Sequence, residues 1–402
     1  MERSIARQLG VMATAWAEPR EAAARASAEP QQMYLDLAAS CPVKQVDEET
    51  YVLTTMADVL YVTKHHDVEQ GSKYLGSDRP AIPLGLDGAD HRKYRHLLDP
   101  VFTAKRVEPL AEQVRKVADE LIDGFLADGH VDAYLRWCEP LPSTVFLAIM
   151  GLPMEDLRDF LHFKDLTLGN AELGDIDADA RLAKRTEAVT WIHTYFNDDL
   201  DRRDKESEPR DDMIGWLLTA EVDGERLSRQ DMLDILGLLM IAGLDTVAAS
   251  LACFLSYFAR HPEERRNLVR RPELIRSAIE ELMRFESPVV DGFRIANADL
   301  TLPSGAEIPR GSWMLVSWSA ANLDPAVFPN PLEVDFERRP NPHIGFASGF
   351  HRCLGSHLAR MEMRVALEAW HARIPDYALP AGAALTYSGN PRAPHSLPLT
   401  WS

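Results

Sequence analysis

The sequence predicts a mainly α-helical protein with a small β region, organised as a single domain over residues 1–402. Three observations carry this. Apolar residues recur at helical spacing between Val107 and Leu126, between Ser228 and Arg260, and between Pro272 and Phe285. The texture then changes to short apolar runs separated by glycine and proline turns between Leu300 and Trp318. No low-complexity linker, internal repeat or abrupt shift in composition divides the chain, and its 46% hydrophobic content supplies a large core.

The elements follow in order. Leu110, Val114, Val117, Leu121 and Phe125 predict one helix over about 107–126, with Gly129 as its terminator. The charged run Asp201–Asp212, which includes Pro209, predicts a solvated loop. Ser228 followed by Asp231 marks a helix start, and the apolar pattern continues to Arg260, so this helix must cross the core before His261-Pro262 opens another. A further helix begins at Pro272, runs through Ile275, Ala278, Leu282 and Phe285, and stops at Ser287-Pro288. Leu300–Leu302, Ile308 and Trp313–Trp318, separated by the Ser304-Gly305 and Pro309–Gly311 turns, predict short strands. Leu358, Ala359, Met361 and Val365 mark a last helix after Cys353.

Charge and cysteine usage narrow the function classes. With 62 acidic against 43 basic residues and a formal net charge of -19, the chain as a whole repels nucleic acid and anionic lipid. The four cysteines form no CxxC pair, which opposes a zinc ribbon and fits reduced thiols in the cytoplasm. Met1–Pro30 is interrupted by Arg and Glu and does not read as a signal peptide. The most apolar stretch, Ile235–Leu244, falls short of the ~20 residues that span a bilayer, so no stable membrane insertion is expected.

The most informative segment is Phe346-Ala347-Ser348-Gly349-Phe350-His351-Arg352-Cys353-Leu354-Gly355. It places a cysteine just before a helix N-terminus, where backbone N–H groups and the helix dipole favour a thiolate. Gly349 and Gly355 let the backbone approach a flat ligand and donate hydrogen bonds to the sulfur. F-x-x-G-x-H-x-C-x-G resembles the haem-ligand signature of the cytochrome P450 family, and the usual Leu-Ala-Arg follows it. A free cysteine is otherwise most often a small buried hydrophobe. Three further segments in family order decide between the two readings.

Glu281 and Arg284, in Glu-Leu-Met-Arg, resemble the family's E-x-x-R, whose second arginine is best matched by Arg338 rather than Arg339. The resemblance gives this cluster a structural role, pinning the loop that carries the cysteine. It implies haem propionate partners at His91, Arg95, Arg294 and His343, with His351 serving a propionate or the proximal surface. Phe346, Gly349, Gly355 and Ala242 complete the implied cofactor-binding set. Asp87-Gly88-Ala89-Asp90 departs from the prolines and glutamate usual there, which puts the local loop shape in doubt. In Ala242-Gly243-Leu244-Asp245-Thr246, Gly243 weakens the helix and Thr246 bonds back to the Ala242 carbonyl, a combination that predicts a kink. Thr246 and Asp245 are the implied catalytic alcohol and acid.

The resemblance therefore implies the cytochrome P450 fold and haem b, with Cys353 as the axial iron ligand. The expected activity is a monooxygenase that hydroxylates a small hydrophobic substrate with dioxygen. Two electrons would come from a separate ferredoxin and ferredoxin reductase, because no flavin or iron-sulfur segment is evident. Arg352, Arg360, Lys105 and Arg106 are the expected basic docking face. Val289, Val290, Ala249 and Ser250 are the expected substrate lining, compatible with terpenoids, steroids, fatty acids or macrolide-like molecules, and equally with core packing. Competing readings are a peroxygenase of the same fold, which usually lacks the acid–alcohol pair, and a haem-thiolate sensor without turnover. An ordinary helical protein with a buried cysteine is the third.

Overall fold

The computed structural model describes residues 18–70, 79–168, 178–208 and 210–402, so Pro209 and the first seventeen residues lie outside the described set. The helices that position the site are numbered here in chain order: α1 (Met56–Val62), α2 (Gly88–Leu98), α3 (Ala111–Asp123), α4 (Pro140–Met150), α5 (Leu157–Leu168), α6 (Ala178–Arg203), α7 (Arg229–Arg260), α8 (Ile275–Glu286) and α9 (Ser356–Arg373). A five-stranded sheet accompanies them, with strands β1 (Val43–Asp47), β2 (Thr50–Leu53), β3 (Val68–Glu69), β4 (Asp291–Ala296) and β5 (Trp313–Ser317) in the order β1-β2-β5-β4-β3. Only β2 and β5 pair in parallel, Thr50 opposite Trp313 and Leu53 opposite Val316. The N-terminal strands are thereby sewn to the C-terminal half.

The long helix α7 is the axis of the core. Ser228 caps it by accepting from the Asp231 N–H, which satisfies one of the first unpaired donors. Leu244, Ala248, Leu251, Phe254 and Phe258 along it are fully buried. By length and composition this is the one helix among the described residues able to span a membrane, and 72% of its apolar window is packed inside the fold. The apolar run is thus longer than Ile235–Leu244, because Asp245 interrupts it without ending it.

Several expectations are corrected. The helix expected over 107–126 is divided: Ala104–Val107 is a short turn, Glu108–Leu110 is a 3-10 turn carrying Pro109, and α3 starts at Ala111. Gly129, at φ 71°, ends the following Leu126–Asp128 turn and not α3. The charged run from Asp201 is not all loop, since α6 persists to Arg203, whose guanidinium is clamped by Asp199 and Asp212. Trp318 begins a short helix, Trp318–Ala321, capped by Ser317. The helix assignment of α7 runs through Gly243 without a break. Gly243 also serves close packing, because a Cβ there would lie 2.5 Å from the Phe146 ring of α4.

Candidate active site

The Cys353 loop is held from three directions. From within, the Cys353 N–H donates to the Phe346 carbonyl at 2.9 Å and closes the turn ahead of α9. From the sheet side, Gly349 sits at φ 70° so close to α1's end that a Cβ would fall 1.9 Å from the Thr63 carbonyl oxygen. From the α8 side comes a buried ionic cluster. Glu281 accepts from Arg284 at 2.9 and 2.7 Å, from Arg338 Nε at 3.0 Å, from the Asn341 amide at 3.1 Å and from the Asp335 N–H at 3.0 Å. Arg284 donates onward to the carbonyls of Asn322, Pro331 and Glu333. Glu281, Arg284 and Arg338 are therefore brought together, Arg339 is not in the cluster, and the segment leading to the cysteine is tied to α8.

A second carboxylate does similar work. Glu280 accepts from Arg360 of α9 at 2.7 and 2.8 Å and pairs with His343 Nε2 at 2.9 Å. Burial opposes its ionisation, but the His343 and Arg360 hydrogen bonds outweigh burial and hold Glu280 down at about 2. Two expectations change here. His343 is spent on Glu280 through Nε2 and on the Gly345 N–H through Nδ1, leaving no ring nitrogen for a propionate. Arg360, paired with Glu280 and lying 4.1 Å over the Phe346 ring, is withdrawn from the docking face. Arg92, Lys105, Arg106 and Arg352 remain exposed, with no ion pair among the described residues, beside Phe350, which is 57% exposed.

Cys353 is exposed on the loop ahead of α9. Burial pushes its thiol up, while the Gly355 N–H and the guanidiniums of Arg95, Arg360 and Arg352 pull it down. The net direction is upward, so the helix terminus alone does not make the thiolate expected from the sequence. A coordinated cation is what would. Gly355 fits such a ligand, because a Cβ there would meet nothing within 4 Å.

The other residues expected to hold the cofactor were tested for fit with a planar group bearing two carboxylates. Arg294 is 3% exposed, and its guanidinium has a hydrogen bond to the Phe293 carbonyl and the Trp318 ring nearby, but no carboxylate partner among the described residues. Burial lowers it to about 10, the signature of a cation waiting for an anion. His351 pairs through Nε2 with Asp87 at 2.9 Å and has a buried, unpartnered Nδ1. His91 packs against the His351 ring at 4.1 Å, and burial, then His351, lowers it to about 4. Arg95 donates to the Arg352 carbonyl at 2.7 Å and to Asp99, joining α2 to the cysteine loop. Together these residues fit the haem implied by the resemblance.

On α7, Ala242 is exposed and Gly243 and Thr246 half-buried in the middle of an otherwise buried helix, so this face borders open space. Thr246 Oγ donates to the Ala242 carbonyl at 3.0 Å as expected. Asp245 is 1% exposed, and neither carboxylate oxygen has a hydrogen-bond partner. Its nearest cation is Lys164 of α5, with Nζ at 3.5 Å. The sequence reading missed this lysine. The signal was a basic residue on the helical spacing Phe160, Phe163, Lys164, Thr167, all of it buried.

The expected substrate lining is largely corrected. Val290 is fully buried against Met33, Tyr34 and Leu315, and Ala249 lies in the main core. Ser250 is buried and bonds back to the Thr246 carbonyl at 2.8 Å. Of the four, Val289 alone is only partly buried, on the bend that follows Pro288.

Comparison with known proteins agrees with this geometry. The family model described as Cytochrome P450 matches residues 179–370. The chain is 34% identical over 386 residues to the mycinamicin IV hydroxylase/epoxidase of Micromonospora griseorubida, covering 92% of this chain and 94% of that one. It is 32% identical to the vitamin D(3) 25-hydroxylase of Pseudonocardia autotrophica, covering 88% of each. Among solved structures, the bacillaene polyketide synthase cytochrome P450 PksS of Bacillus subtilis superposes with a TM-score of 0.83 at 29% identity, over 93% of this chain and 97% of that one.

Proposed function

The chain belongs to the cytochrome P450 family, as a bacterial-type monooxygenase whose cofactor is haem b, and on that premise we propose that it hydroxylates a small hydrophobic substrate in the cytoplasm using electrons from a ferredoxin and its reductase. The observation that carries the reading is the pairing of an accessible cysteine sulfur on the loop before α9 with an accessible Ala242–Thr246 face on an otherwise buried α7.

In this reading Cys353 would ligate the haem iron, and the Gly355 N–H, which donates to its sulfur, would moderate its charge. Arg294, His351, His91 and Arg95 would hold the propionates, Arg294 foremost because its buried guanidinium has no ion pair among the described residues. Phe346 and Gly349 shape the loop, and Ala242 leaves room on the opposite side. Bound haem supplies oxygen activation, to which the thiolate contributes electron density. Thr246 would offer its hydroxyl as a hydrogen-bond donor in the site, and Asp245 would relay protons to it. Val289 contributes apolar surface to the substrate side. The names of the relatives, a mycinamicin IV hydroxylase/epoxidase and a vitamin D(3) 25-hydroxylase, support a hydrophobic organic substrate.

Arg92, Lys105, Arg106 and Arg352, with Phe350 among them, give an acidic ferredoxin a complementary face on a protein of net charge -19. The test is the reduced carbon monoxide spectrum of purified protein and of Cys353→His. The parent should show the red-shifted Soret band diagnostic of thiolate ligation and the variant should lose it. A parent that binds haem without that band would refute the assignment of Cys353.

A further inference from the structure

Among the described residues Lys164 is the cation nearest Asp245, yet its shortest contacts go to Glu139 and Asp165. Its side chain is 0% exposed and faces three carboxylates: Glu139 at 2.5 Å, Asp165 at 3.0 Å and Asp245 at 3.5 Å. One ammonium group has three donors and binds most tightly where contact is shortest. Asp245 is the most deeply buried of the three carboxylates, and neither of its oxygens has a hydrogen bond, whereas Glu139 accepts one from the ammonium. Glu139 is held in place to win this competition. It sits where the π-helical turn Tyr134–Cys138 passes into α4, with its N–H donating to the Tyr134 carbonyl and its own carbonyl accepting from Ser143. Ser143 in turn reaches the Leu244 carbonyl of α7 at 3.4 Å, so the α4 start is registered against the residue before Asp245. Tyr134, whose hydroxyl is also buried and unpartnered, completes the polar lining.

We propose that Glu139 is a positioning residue for the reaction: by drawing the Lys164 ammonium toward the α4–α5 side, it keeps the Asp245 carboxylate disengaged and able to turn toward Thr246. This deepens the proposed function and rests on Asp245 acting as the acid there. A carboxylate locked in a direct ion pair would have to break it each time it passed a proton. A carboxylate near a cation that is held elsewhere keeps its charge without that constraint. The cluster holds one positive and three negative groups, so Lys164 cannot neutralise all of them, and its position decides which carboxylate goes without.

The test uses the holoenzyme and the variants Glu139→Gln, Glu139→Asp, Asp165→Asn and Asp245→Asn. Crystal structures report the Lys164–Asp245 distance. Oxygen consumption driven by plant-type ferredoxin and its reductase, without substrate, is measured in light and heavy water. In Glu139→Gln, Lys164 should close on Asp245 to ordinary ion-pair distance, roughly 2.8 Å. Oxygen consumption should fall about tenfold with an enlarged solvent isotope effect, against ~100-fold for Asp245→Asn. Glu139→Asp should recover part of the rate, and Asp165→Asn should leave it near that of the parent. Haem content and unfolding midpoint matched to the parent identify the loss as positional. If Lys164 stays at its present distance in Glu139→Gln, or closes without slowing turnover, the proposal is overturned. An equal loss in Asp165→Asn overturns it too, by showing a general charge effect. If Asp245→Asn is as fast as the parent, the acid role of Asp245 fails, and the role of Glu139 fails with it.

Discussion

Replacing Glu281 with alanine removes the acceptor on which the anchor of the cysteine loop converges. Six hydrogen bonds end on this carboxylate from Arg284, Arg338, Asn341 and the Asp335 backbone, and the Arg284 side chain is 0% exposed. Removing one partner of a buried ion pair costs about 3–5 kcal/mol, because the other charge stays buried without compensation. Arg284 keeps three carbonyl acceptors, and Arg338 can hydrate where it is partly exposed, so the lower end applies, ~3 kcal/mol. That is a large share of the 5–15 kcal/mol typical of a folded domain. Urea unfolding followed by far-UV circular dichroism measures it as a lower midpoint at unchanged slope. Glu281→Gln, which keeps the shape and one acceptor, should lose less. A loss below ~1 kcal/mol in the alanine variant would show that the convergence of bonds on Glu281 contributes little net stability, and the anchoring argument would fail.

Other perturbations should separate site from scaffold. Arg294→Met should make the cofactor-free protein as stable as the parent or more so, since a buried guanidinium without a carboxylate is unfavourable, while haem transfer to apomyoglobin becomes faster. A slower transfer would exclude Arg294 as a propionate partner. Gly349→Ala forces the loop away from the Thr63 carbonyl and should lower bound haem per chain, read from the Soret-to-protein absorbance ratio; an unchanged ratio would contradict the contact. Glu280 has a folded value of about 2 against 4.5 for the free group, so its stabilising contribution is complete above pH 4.5 and is lost as pH falls through the folded value. Glu280→Gln should therefore be destabilised relative to the parent above pH 4.5, with the gap closing toward pH 2 in acid unfolding curves. Gly243→Ala should cost about 1–3 kcal/mol by overpacking Phe146, with partial rescue by Phe146→Leu in the same urea assay.

The legible parts of the sequence were those fixed by short-range rules. The span of α7 followed from its cap and apolar spacing, and the Glu281–Arg284–Arg338 convergence followed from motif order. What sequence could not show were choices among distant partners. His343 bonds Glu280, 63 residues away, and nothing local to Asn-Pro-His says so. Val289 and Val290 have the same chemistry, and only the approach of Met33 and Leu315 assigns one of them to the core. Gly243 was read from intrahelical propensity, whereas the reason for it lies on α4. The three carboxylates around Lys164 come from three separate helical segments, and their spacing along the chain carries no pattern.

The close approach of Gly349 to Thr63 has a consequence for how the protein is made. The two residues lie far apart in sequence, and the parallel β2–β5 pairing that supports the contact also joins remote stretches. During synthesis the N-terminal strands leave the ribosome long before β5 exists, and they wait without their parallel neighbour. The contact of Gly349 with Thr63 can form only after the cysteine loop has been synthesised. Cofactor capture on this account is a late event that follows release of nearly the whole chain, so the newly made protein spends its most aggregation-prone interval without the group that would stabilise it.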